Sequence, residues 1–581
     1  MGLYTYATNA FIKKERLRKM AVLGASWGVH EPAVLITFLD IDQGSRIYFR
    51  RDRTGQRKES AMKWNDRQSG IPVGCAAHGM TRRRFLTGCA ACAGAAGLMT
   101  APRWLRAAGG KGPKIRIVYA LHGPKQEVPD WPNVGFDFVP IMERTNAALS
   151  NRFRDFTFLP VMATGEEQAK KILEGDKAED IDGYIVYQMN CWNRVAQTMV
   201  TSGKPVLYAD FQYAGSGGFL VYTAGFLREG RSNLGFVASS RQDDLFGAVQ
   251  CFEAAGPSFD FAAATAKVRM SQTPRPGDLT GRTDQLSTLP AEETIRRMKA
   301  AKIIAVRGPE AAPETTVMGI PVVYIPFSEL NDAWATADKD EARAIADLWL
   351  KTASRVEGVS RDELVNSAAM YLGEKTVLKK HDAVGITINC LGGFYGDHIH
   401  AYPCLGFHEL NNQGLVGGCE CDVPSAAVMV AGSIMTEGRP GYISDPVIDT
   451  VKRQIIYAHC VASNRVFGPK GEANPFEILT HSEDRQGASV RSVLPVGYLT
   501  TTIEISDPRK EIILHQAKAV ANDPDDRACR TKLAAEPRGD IEKLFTMWDK
   551  WGWHRVTFYG DLKKPVYELA AALGWTVIEE A

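Results

Sequence analysis

The sequence has no basic stripe interleaved with aromatic residues beyond residue 110, and its formal net charge is only +2. We therefore expect no nucleic-acid partner, because contact with phosphates needs a concentrated positive surface. The eleven cysteines show no zinc-finger spacing. A chain of 581 residues does not need disulfides to fold, so mostly reduced, partly buried thiols are expected. The same length exceeds a single hydrophobic core and predicts roughly two to four domains.

Long apolar runs are also lacking. Residues 87–101 form a weakly apolar stretch of small residues, about fifteen positions long, which is too short to cross a bilayer. We therefore expect no stable membrane insertion. The stretch follows Thr81-Arg82-Arg83-Arg84-Phe85-Leu86, a pattern typical of a twin-arginine export signal, with candidate cleavage sites after Ala101 and Ala108. The alternative is an ordinary buried Ala/Gly helix after a basic turn.

Met80 stands directly before the arginine motif. Because export signals lie at the N-terminus, residues 1–79 are predicted to be a disordered upstream extension that is not native to the protein. Residues 80–108 are then the signal peptide, and the mature protein is exported to the periplasm or beyond the cell. Residues 86–89 also read formally as a lipobox, which leaves lipidation of Cys89 as an alternative.

Short apolar runs separated by helix-like segments begin at residue 114. This alternation predicts an α/β fold with a parallel, doubly wound sheet over 114–300. A second α/β unit is predicted over 301–380, with a strand at 322–325 and helices at 339–352 and 361–378. The predicted strands of the first unit are residues 115–121, 184–187, 206–209 and 234–237.

The glycine-rich segment Gly215-Ser216-Gly217-Gly218 follows one of these strands. It could cradle a phosphate at a helix N-terminus. It lacks both the Lys-Ser/Thr of a P-loop and the full GxGxxG spacing, so a tight loop is the favoured interpretation.

The segment 381–581 is rich in strands and glycine and carries the candidate chemistry. Glu420 and Asp445 each follow a predicted strand, and a helix lies between them. Such a crossover predicts two neighbouring parallel strands whose ends bring both carboxylates together. Oxygen ligands of this kind suit Mn²⁺ or Mg²⁺. The alternative is that both carboxylates begin helices, which Pro446 would favour after Asp445.

The segment from Tyr402 to Pro424 resembles the signature of the C-terminal catalytic domain of the L-fucose isomerase and L-arabinose isomerase-like superfamily. The resemblance implies that Glu420 and Asp445 bind Mn²⁺ and act as the acid/base pair. It also implies a third ligand near the C-terminus, where the family histidine aligns with Asp561 and a second family histidine aligns with His554. Glu420, Asp445, Asp561 and His554 are therefore the predicted metal ligands.

Five further residues are candidates for substrate binding. His398 and His400 alternate in a glycine-flanked segment, where two imidazoles could face one ligand or simply lie exposed. His459 ends a predicted strand and is either a site residue or a satisfied core histidine. Asn411 lies within the family-like segment, and Trp553 could stack on a sugar or belong to the core. Two other histidines, His481 and His515, are predicted to lie at the surface.

Three functions agree with these patterns. The first is an aldose–ketose isomerase that converts a pentose or deoxyhexose through an ene-diol. The second is an exported glycoside hydrolase or lyase that uses the same carboxylates. The third is a non-catalytic periplasmic sugar-binding protein. All three take a small-molecule sugar as partner, and the family resemblance implies a possible homo-oligomer.

The export prediction can be tested directly. A chain begun at Met80 should be exported and processed, and replacement of Arg82 and Arg83 with lysine should block its export, because the transport machinery reads the paired arginines. Cell fractionation followed by immunoblotting measures the outcome. Unchanged secretion of the double variant would refute the signal assignment.

Overall fold

The computed structural model describes residues 112–256 and 259–581. The predicted extension 1–79, the predicted signal 80–108 and Cys89 lie outside the described residues. Where the chain is described, none of its helices is both long enough and apolar enough to cross a membrane. The fold is mixed α/β, with a parallel-sheet part followed by a strand-rich part, as predicted.

The first sheet contains five parallel strands in the order β2-β1-β3-β4-β5. Alternate side chains of the first strand enter two separate buried clusters, so both faces of the sheet are covered, as a parallel sheet requires. The strands are β1 (Lys114–Ala120), β2 (Thr157–Ala163), β3 (Gly183–Gln188), β4 (Val206–Asp210) and β5 (Leu234–Val237), and the helices of this part are α1 (Val139–Arg152), α2 (Glu166–Gly175), α3 (Val195–Met199), α4 (Ser216–Glu229), α5 (Gln242–Val249) and α6 (Phe261–Gln272).

The second sheet has the order β11-β10-β6-β8-β7 and is parallel except for the pair β7 and β8. It combines strands on both sides of residue 380, so the predicted boundary between 380 and 381 passes through one sheet. Its strands are β6 (Ile303–Gly308), β7 (Thr315–Val317), β8 (Ile320–Pro326), β10 (Gly385–Ile388) and β11 (Val416–Cys419).

The helices around the second sheet include both predicted amphipathic helices. The first has the predicted bounds, and the second begins where predicted, with Ser360 accepting a hydrogen bond from the Glu363 backbone N–H as its N-cap. These helices are α7 (Ala291–Ala300), α8 (Phe327–Ala335), α9 (Lys339–Thr352), α10 (Arg361–His381), α11 (Cys390–Tyr395), α12 (Cys404–Asn412) and α13 (Val423–Met435).

The third sheet is antiparallel in its main part and closes on itself as a barrel. Its order is β16-β19-β12-β13-β18-β17, and the pairing of β16 with β17 completes the ring, while β20 adds to β17 in parallel. Its strands are β12 (Tyr442–Asp449), β13 (Gln454–His459), β16 (Leu499–Ser506), β17 (Glu511–Asn522), β18 (Thr531–Pro537), β19 (Arg555–Tyr559) and β20 (Thr576–Glu579).

The remaining elements are short. A three-stranded sheet has the order β15-β14-β9. The rest of the regular structure comprises β9 (Arg355–Glu357), β14 (Phe476–Leu479), β15 (Ser489–Ser492), α14 (Leu544–Met547) and α15 (Lys563–Leu573), with short 3-10 turns at Val200–Ser202, Gln250–Ala254, Ile541–Lys543 and Trp548–Trp551.

The first sheet and the closed sheet share one buried apolar cluster. Within it the ring of Phe236, from β5, lies 4.8 Å from that of Phe545, from α14. This shared core places α4 against the closed sheet, next to the strand that carries Asp445.

A chain of buried polar groups links strands of the closed sheet. The hydroxyl of Tyr457 lies 2.5 Å from His515 Nε2, and His515 Nδ1 lies 2.9 Å from Glu580. Arg555 donates to the other oxygen of Glu580 at 2.7 Å. His515 is 1% exposed, so the predicted surface position of this histidine is wrong. A buried ion pair with these extra hydrogen bonds satisfies the charges that burial would otherwise penalise.

The acid stability of the closed sheet should depend on Glu580. Burial alone would raise the pKa of Glu580, but Arg555 and His515 lower it from 4.5 to about 2. The stabilisation is therefore present above pH 4.5 and is lost as the pH falls towards about 2, by roughly 3 kcal/mol. Urea unfolding across this pH range should show that Glu580→Gln lacks this dependence and is less stable at neutral pH by about 3–5 kcal/mol.

The exposed Glu568, on α15, supplies the control for that experiment. Glu568→Gln should retain the wild-type stability and the wild-type acid dependence. An identical pH dependence in Glu580→Gln and the wild type would contradict the role of this ion pair.

Candidate metal centre

Glu420 is positioned by a strained turn at the end of β11. Its φ is +63°, and that of Cys421 is +50°, a region that non-glycine residues seldom adopt. The turn is held because the Cys421 N–H donates to the Ile388 carbonyl at 3.0 Å, and Asp422 then caps α13 by accepting from the Ser425 N–H at 3.1 Å. The helix therefore begins beyond Glu420, which leaves the Glu420 carboxylate free for the site.

Asp445 lies in the middle of β12, not at the end of a parallel strand. The strand β12 is antiparallel to both of its neighbours and belongs to the closed sheet, while β11 belongs to the second sheet. The prediction of two adjacent parallel strands is thus wrong, and so is a helix start at Asp445. In the register, Asp445 pairs with Ala458 and Ser444 pairs with Arg555, which places His459 and His554 beside Asp445.

Glu420, Asp445, His459 and His554 converge. One potential ligand atom from each lies within 4.8 Å of the others. His554 Nε2 lies 3.3 Å from Asp445 Oδ1 and 3.6 Å from Glu420 Oε2. His459 Nε2 lies 3.7 Å from Glu420 Oε1 and 4.0 Å from Asp445 Oδ2. Both imidazoles and Asp445 are buried, and the Glu420 side chain is 15% exposed, so the group opens on the Glu420 side.

The donor set fits a divalent cation. The Nε2 atoms of His459 and His554 are buried and have no hydrogen-bond partner among the described residues. Unsatisfied buried nitrogens beside two carboxylates are costly unless a further group binds them. One such imidazole nitrogen and two carboxylates form a mixed nitrogen–oxygen set that Mn²⁺ accepts, so the residues present fit the cofactor that the family resemblance implies.

The two histidines differ in the hydrogen bonds of their second ring nitrogen. His554 Nδ1 lies 2.8 Å from Asp422 Oδ2, which suits an Nδ1–H that donates to the carboxylate and leaves Nε2 free as a ligand. His459 Nδ1 instead accepts from the Cys460 N–H at 3.0 Å. A neutral His459 then carries its proton on Nε2, which suits a donor to a sugar oxygen better than a metal ligand.

The electrostatics reflect two close acids. Burial raises the pKa of Glu420 well above its usual range, and Asp445 raises it further, while His554 opposes the shift. Burial lowers the pKa of His459. For His554 burial has the same effect, but Glu420, Asp422 and Asp445 together raise its pKa well above 6.5. A positive charge between the two carboxylates would therefore stabilise their ionised forms.

Trp553 joins this group to the first domain. Its indole N–H donates to Asp445 Oδ1. Its ring lies 5.1 Å from that of Trp192, in a T-shaped arrangement. A Cβ at Gly217 would fall 1.5 Å from the Trp553 ring, so only glycine fits there. Gly217 thus packs closely against Trp553. Residues 216–218 form the first turn of α4, so the tight-loop interpretation of the segment 215–218 is wrong.

Asp561 does not join the group. It is exposed, and it accepts from Gln516 Nε2 at 2.8 Å and from the Lys563 N–H at 3.2 Å. Strand β19 separates it from His554, and seven residues of extended chain at about 3.3 Å each span roughly 20 Å. His554, not Asp561, stands beside the two carboxylates, so the predicted third carboxylate ligand is absent from the group.

Three predicted substrate-binding residues also lie elsewhere. His398 stacks on Phe327 of α8, with ring centroids 5.4 Å apart, while the ring of His400 lies 5.8 Å from that of Trp334. Both histidines are exposed and pack against a helix instead of facing one ligand. The side chain of Asn411 is buried and bonds both backbone groups of Gly417, at 3.0 and 3.1 Å, so its role is to hold β11 against α12.

A supporting network of hydrogen bonds lies behind the site and was not predicted from the sequence. Ser425 donates to Asp422 at 3.0 Å and lies 2.7 Å from Glu504, so a buried chain runs from Glu504 to His554. The capping pattern of Asp422 three residues before Ser425 was the available signal.

His481 was predicted at the surface but is buried, and the neighbouring carboxylate of Asp484 helps to raise its pKa to about 10 against the effect of burial.

The cysteines agree with the expectation of reduced thiols. All eight that the structure describes are free, and seven of them are buried. Cys529 Sγ lies 4.0 Å from Asp445 Oδ2, so a thiol adds a weak donor to the acid that also receives the Trp553 N–H.

Comparisons with known proteins point to sugar isomerases. A stretch of 137 residues is 28% identical to sulfoquinovose isomerase of Priestia aryabhattai and covers 22% of this chain and 29% of that protein. A stretch of 178 residues is 25% identical to sulfoquinovose isomerase of Clostridium sp. (strain MSTE9) and covers 29% of this chain and 38% of the relative. The chain thus spans about a third of the length of these curated relatives, which are distant homologues. No protein-family model matches the chain.

A search of solved structures gives a crystal structure of the transcription regulator CcpA of Lactococcus lactis. The match is 8% identical, has a TM-score of 0.14 and covers 48% of this chain and 78% of that one. A likeness this low carries no argument about fold or function.

Gly217→Ala should disturb the site through Trp553. The new methyl group overlaps the indole ring, so the ring must shift, and its hydrogen bond to Asp445 weakens. Overpacking of this kind costs about 1–3 kcal/mol in the free energy of unfolding. Urea unfolding and tryptophan fluorescence measure both effects.

Gly225, in the same helix, is the matched control because a Cβ there meets no atom within 4 Å. Gly225→Ala should be neutral or slightly stabilising. If Gly217→Ala were as stable as Gly225→Ala and left the fluorescence unchanged, Trp553 would not be held by this contact.

Proposed function

We propose that this protein is a metal-dependent aldose–ketose isomerase acting on a free sugar. The observation that carries the proposal is the convergence of Glu420, Asp445, His459 and His554 in one buried group with two unpaired imidazole nitrogens. The distant homology to proteins named sulfoquinovose isomerase supports the same kind of reaction.

Glu420, Asp445 and His554 would hold the metal, with Mn²⁺ or Mg²⁺ as the proposed ion. When bound, such an ion would orient the sugar's reacting oxygens and polarise its carbonyl. Asp422 keeps the His554 ring in place through the 2.8 Å contact to Nδ1. His459 Nε2 faces the same space and would donate to a sugar oxygen.

Either Glu420 or Asp445 would move the proton. The base would take the proton from the carbon next to the carbonyl and return it to the neighbouring carbon, while a proton would move from one reacting oxygen to the other, so that the intermediate is an ene-diol. Asp445 receives the N–H of Trp553, which fixes the orientation of its carboxylate. Glu420 has no such donor among the contacts described for it and lies on the more open side, so we propose Glu420 as the group that carries the proton.

The hydrolase alternative is less well supported. An inverting glycosidase needs its two carboxyl groups about 6.5–9.5 Å apart to admit a water molecule. Here the nearest oxygens of Glu420 and Asp445 lie within 4.8 Å of each other. The sugar-binding alternative would pair His459 Nε2 with a sugar oxygen, but it would supply no cation between the two close carboxylates.

The distant relatives and the family resemblance support a choice of substrate class. We propose a six-carbon sugar without a 6-hydroxyl group, or a pentose. Sulfoquinovose, which carries a sulfonate at that position, is the first compound to test. Export by the twin-arginine route, which carries folded proteins, would let the metal be loaded before the protein leaves the cytoplasm.

The reaction can be detected by proton exchange. With Mn²⁺ present, the protein should incorporate solvent deuterium into sulfoquinovose, L-fucose or L-arabinose at the carbon next to the carbonyl, measured by proton NMR. Glu420→Gln should abolish the exchange, by at least about a hundredfold, because general base catalysis contributes on that scale. Glu472→Gln, a change at an exposed glutamate, should leave the exchange unchanged.

Metal binding is tested separately by thermal unfolding. Mn²⁺ should raise the Tm of the wild type and of Glu472→Gln, and much less that of Glu420→Gln or His554→Gln, because a ligand that binds only the folded state stabilises it. If neither Mn²⁺ nor Mg²⁺ moved the Tm while a sugar raised it, the protein would be a sugar-binding protein. Release of a nitrophenol from a nitrophenyl glycoside would instead support the hydrolase.

A further inference from the structure

A cavity lies beside the first sheet, and none of its lining residues belongs to the metal group. Its volume is about 130 Å³, and it opens at the carboxyl edge of the first sheet, where β4 and β5 end and α5 begins. Ala209, Asp210 and Val237 form its buried floor, and Ser240, Arg241 and Gln242 form its exposed mouth. Ligands of such sheets bind outside the carboxyl ends of the strands, most often at the point where the strand order reverses, which here lies between β1 and β3, on the other side of β3 from β4.

The floor contains an unsatisfied acceptor. Asp210 is 6% exposed, and its Oδ2 accepts a hydrogen bond from the Ser216 hydroxyl at 2.7 Å. Its Oδ1 is buried and has no hydrogen-bond partner among the described residues. An unmade hydrogen bond at a buried carboxyl oxygen costs about 1–3 kcal/mol, which a bound donor would recover.

The other groups restrict the charge of a ligand. Arg241, at the mouth, pairs with Asp244 and disfavours a cation, while Asp210, Asp244 and Asp449 together disfavour an anion. Burial also raises the pKa of Asp210 to about 8, and a ligand hydroxyl that donates to its Oδ1 would stabilise the carboxylate form. An uncharged ligand with hydroxyl groups meets both conditions.

The size of the cavity restricts the ligand further. A volume of about 130 Å³ equals the share of roughly four water molecules. This corresponds to a small molecule such as a three-carbon polyol. The floor also offers the apolar side chains of Ala209 and Val237 to its C–H groups.

We propose that this cavity is a second ligand site that binds a small uncharged polyol, with Asp210 as the hydrogen-bond acceptor. The proposal does not depend on the isomerase assignment. The site is tied to the strand of the metal group, because the N–H and hydroxyl of Ser240, at the mouth, donate to Asp449 of β12 at 3.0 and 2.7 Å. Asp445 lies four residues earlier in the same strand.

Saturation-transfer NMR with glycerol on the full chain tests the proposal. The wild type should transfer saturation to the glycerol C–H protons, and Asp210→Leu should lose this transfer because it keeps the size of the side chain but removes the acceptor. Asp243→Asn, a change at an exposed neighbour outside the cavity, is the matched control and should behave as the wild type. Propylamine and acetate, as cationic and anionic probes, should receive no transfer.

If Asp210→Leu failed to fold, as judged by its thermal unfolding, Asp210→Asn would decide the matter, since it keeps an oxygen for Ser216 and turns an amide donor towards the cavity. It should weaken the transfer severalfold. Absence of transfer in the wild type would mean that the cavity holds water only. Equal transfer in the wild type and the Asp210 variant, or transfer to propylamine in preference to glycerol, would overturn the assignment.

Discussion

Two carboxylates that lie close together in a largely buried site repel each other, and the residues around the metal group must offset this repulsion. Glu420 and Asp445 come from different sheets, and the packing of these sheets brings the two carboxylates close together. Their ionised forms can coexist only if positive charge lies between or beside them. Without a metal, a proton on His554 can supply such a charge, and the orientation of this ring depends on Asp422. The same arrangement is what a divalent cation requires.

The N-terminal α/β domain is part of this arrangement and not an attached module. Its glycine-rich segment makes room for Trp553, whose N–H reaches Asp445. The first turn of α4 therefore has a packing role that explains the glycine at position 217. A second connection runs from Ser240 to Asp449 on the strand of Asp445. Substitutions in the N-terminal α/β domain can thus affect the metal group through either of these two contacts.

The two carboxylates of the candidate site could be predicted from the sequence, but its histidines could be predicted only in part. Glu420 and Asp445 could be selected from a local motif and its spacing, but the reason given for their meeting was wrong, because β11 and β12 belong to different sheets. The alignment gave two candidates for the C-terminal ligand, and only the structure separated His554 from Asp561. Local patterns also do not reveal that the side-chain amide of Asn411 is hydrogen-bonded to the backbone of Gly417.

Local sequence patterns were enough to specify the classes of structure. Alternating strands and helices specified the parallel sheet, and N-cap patterns such as Ser360 before Glu363 placed helix starts closely, because these signals depend on neighbours within a few residues. Which side chains meet depends instead on the pairing of distant strands. The register of β12 with its antiparallel neighbours sets His459 and His554 beside Asp445, and such pairings join residues up to about a hundred positions apart, where no local preference reaches.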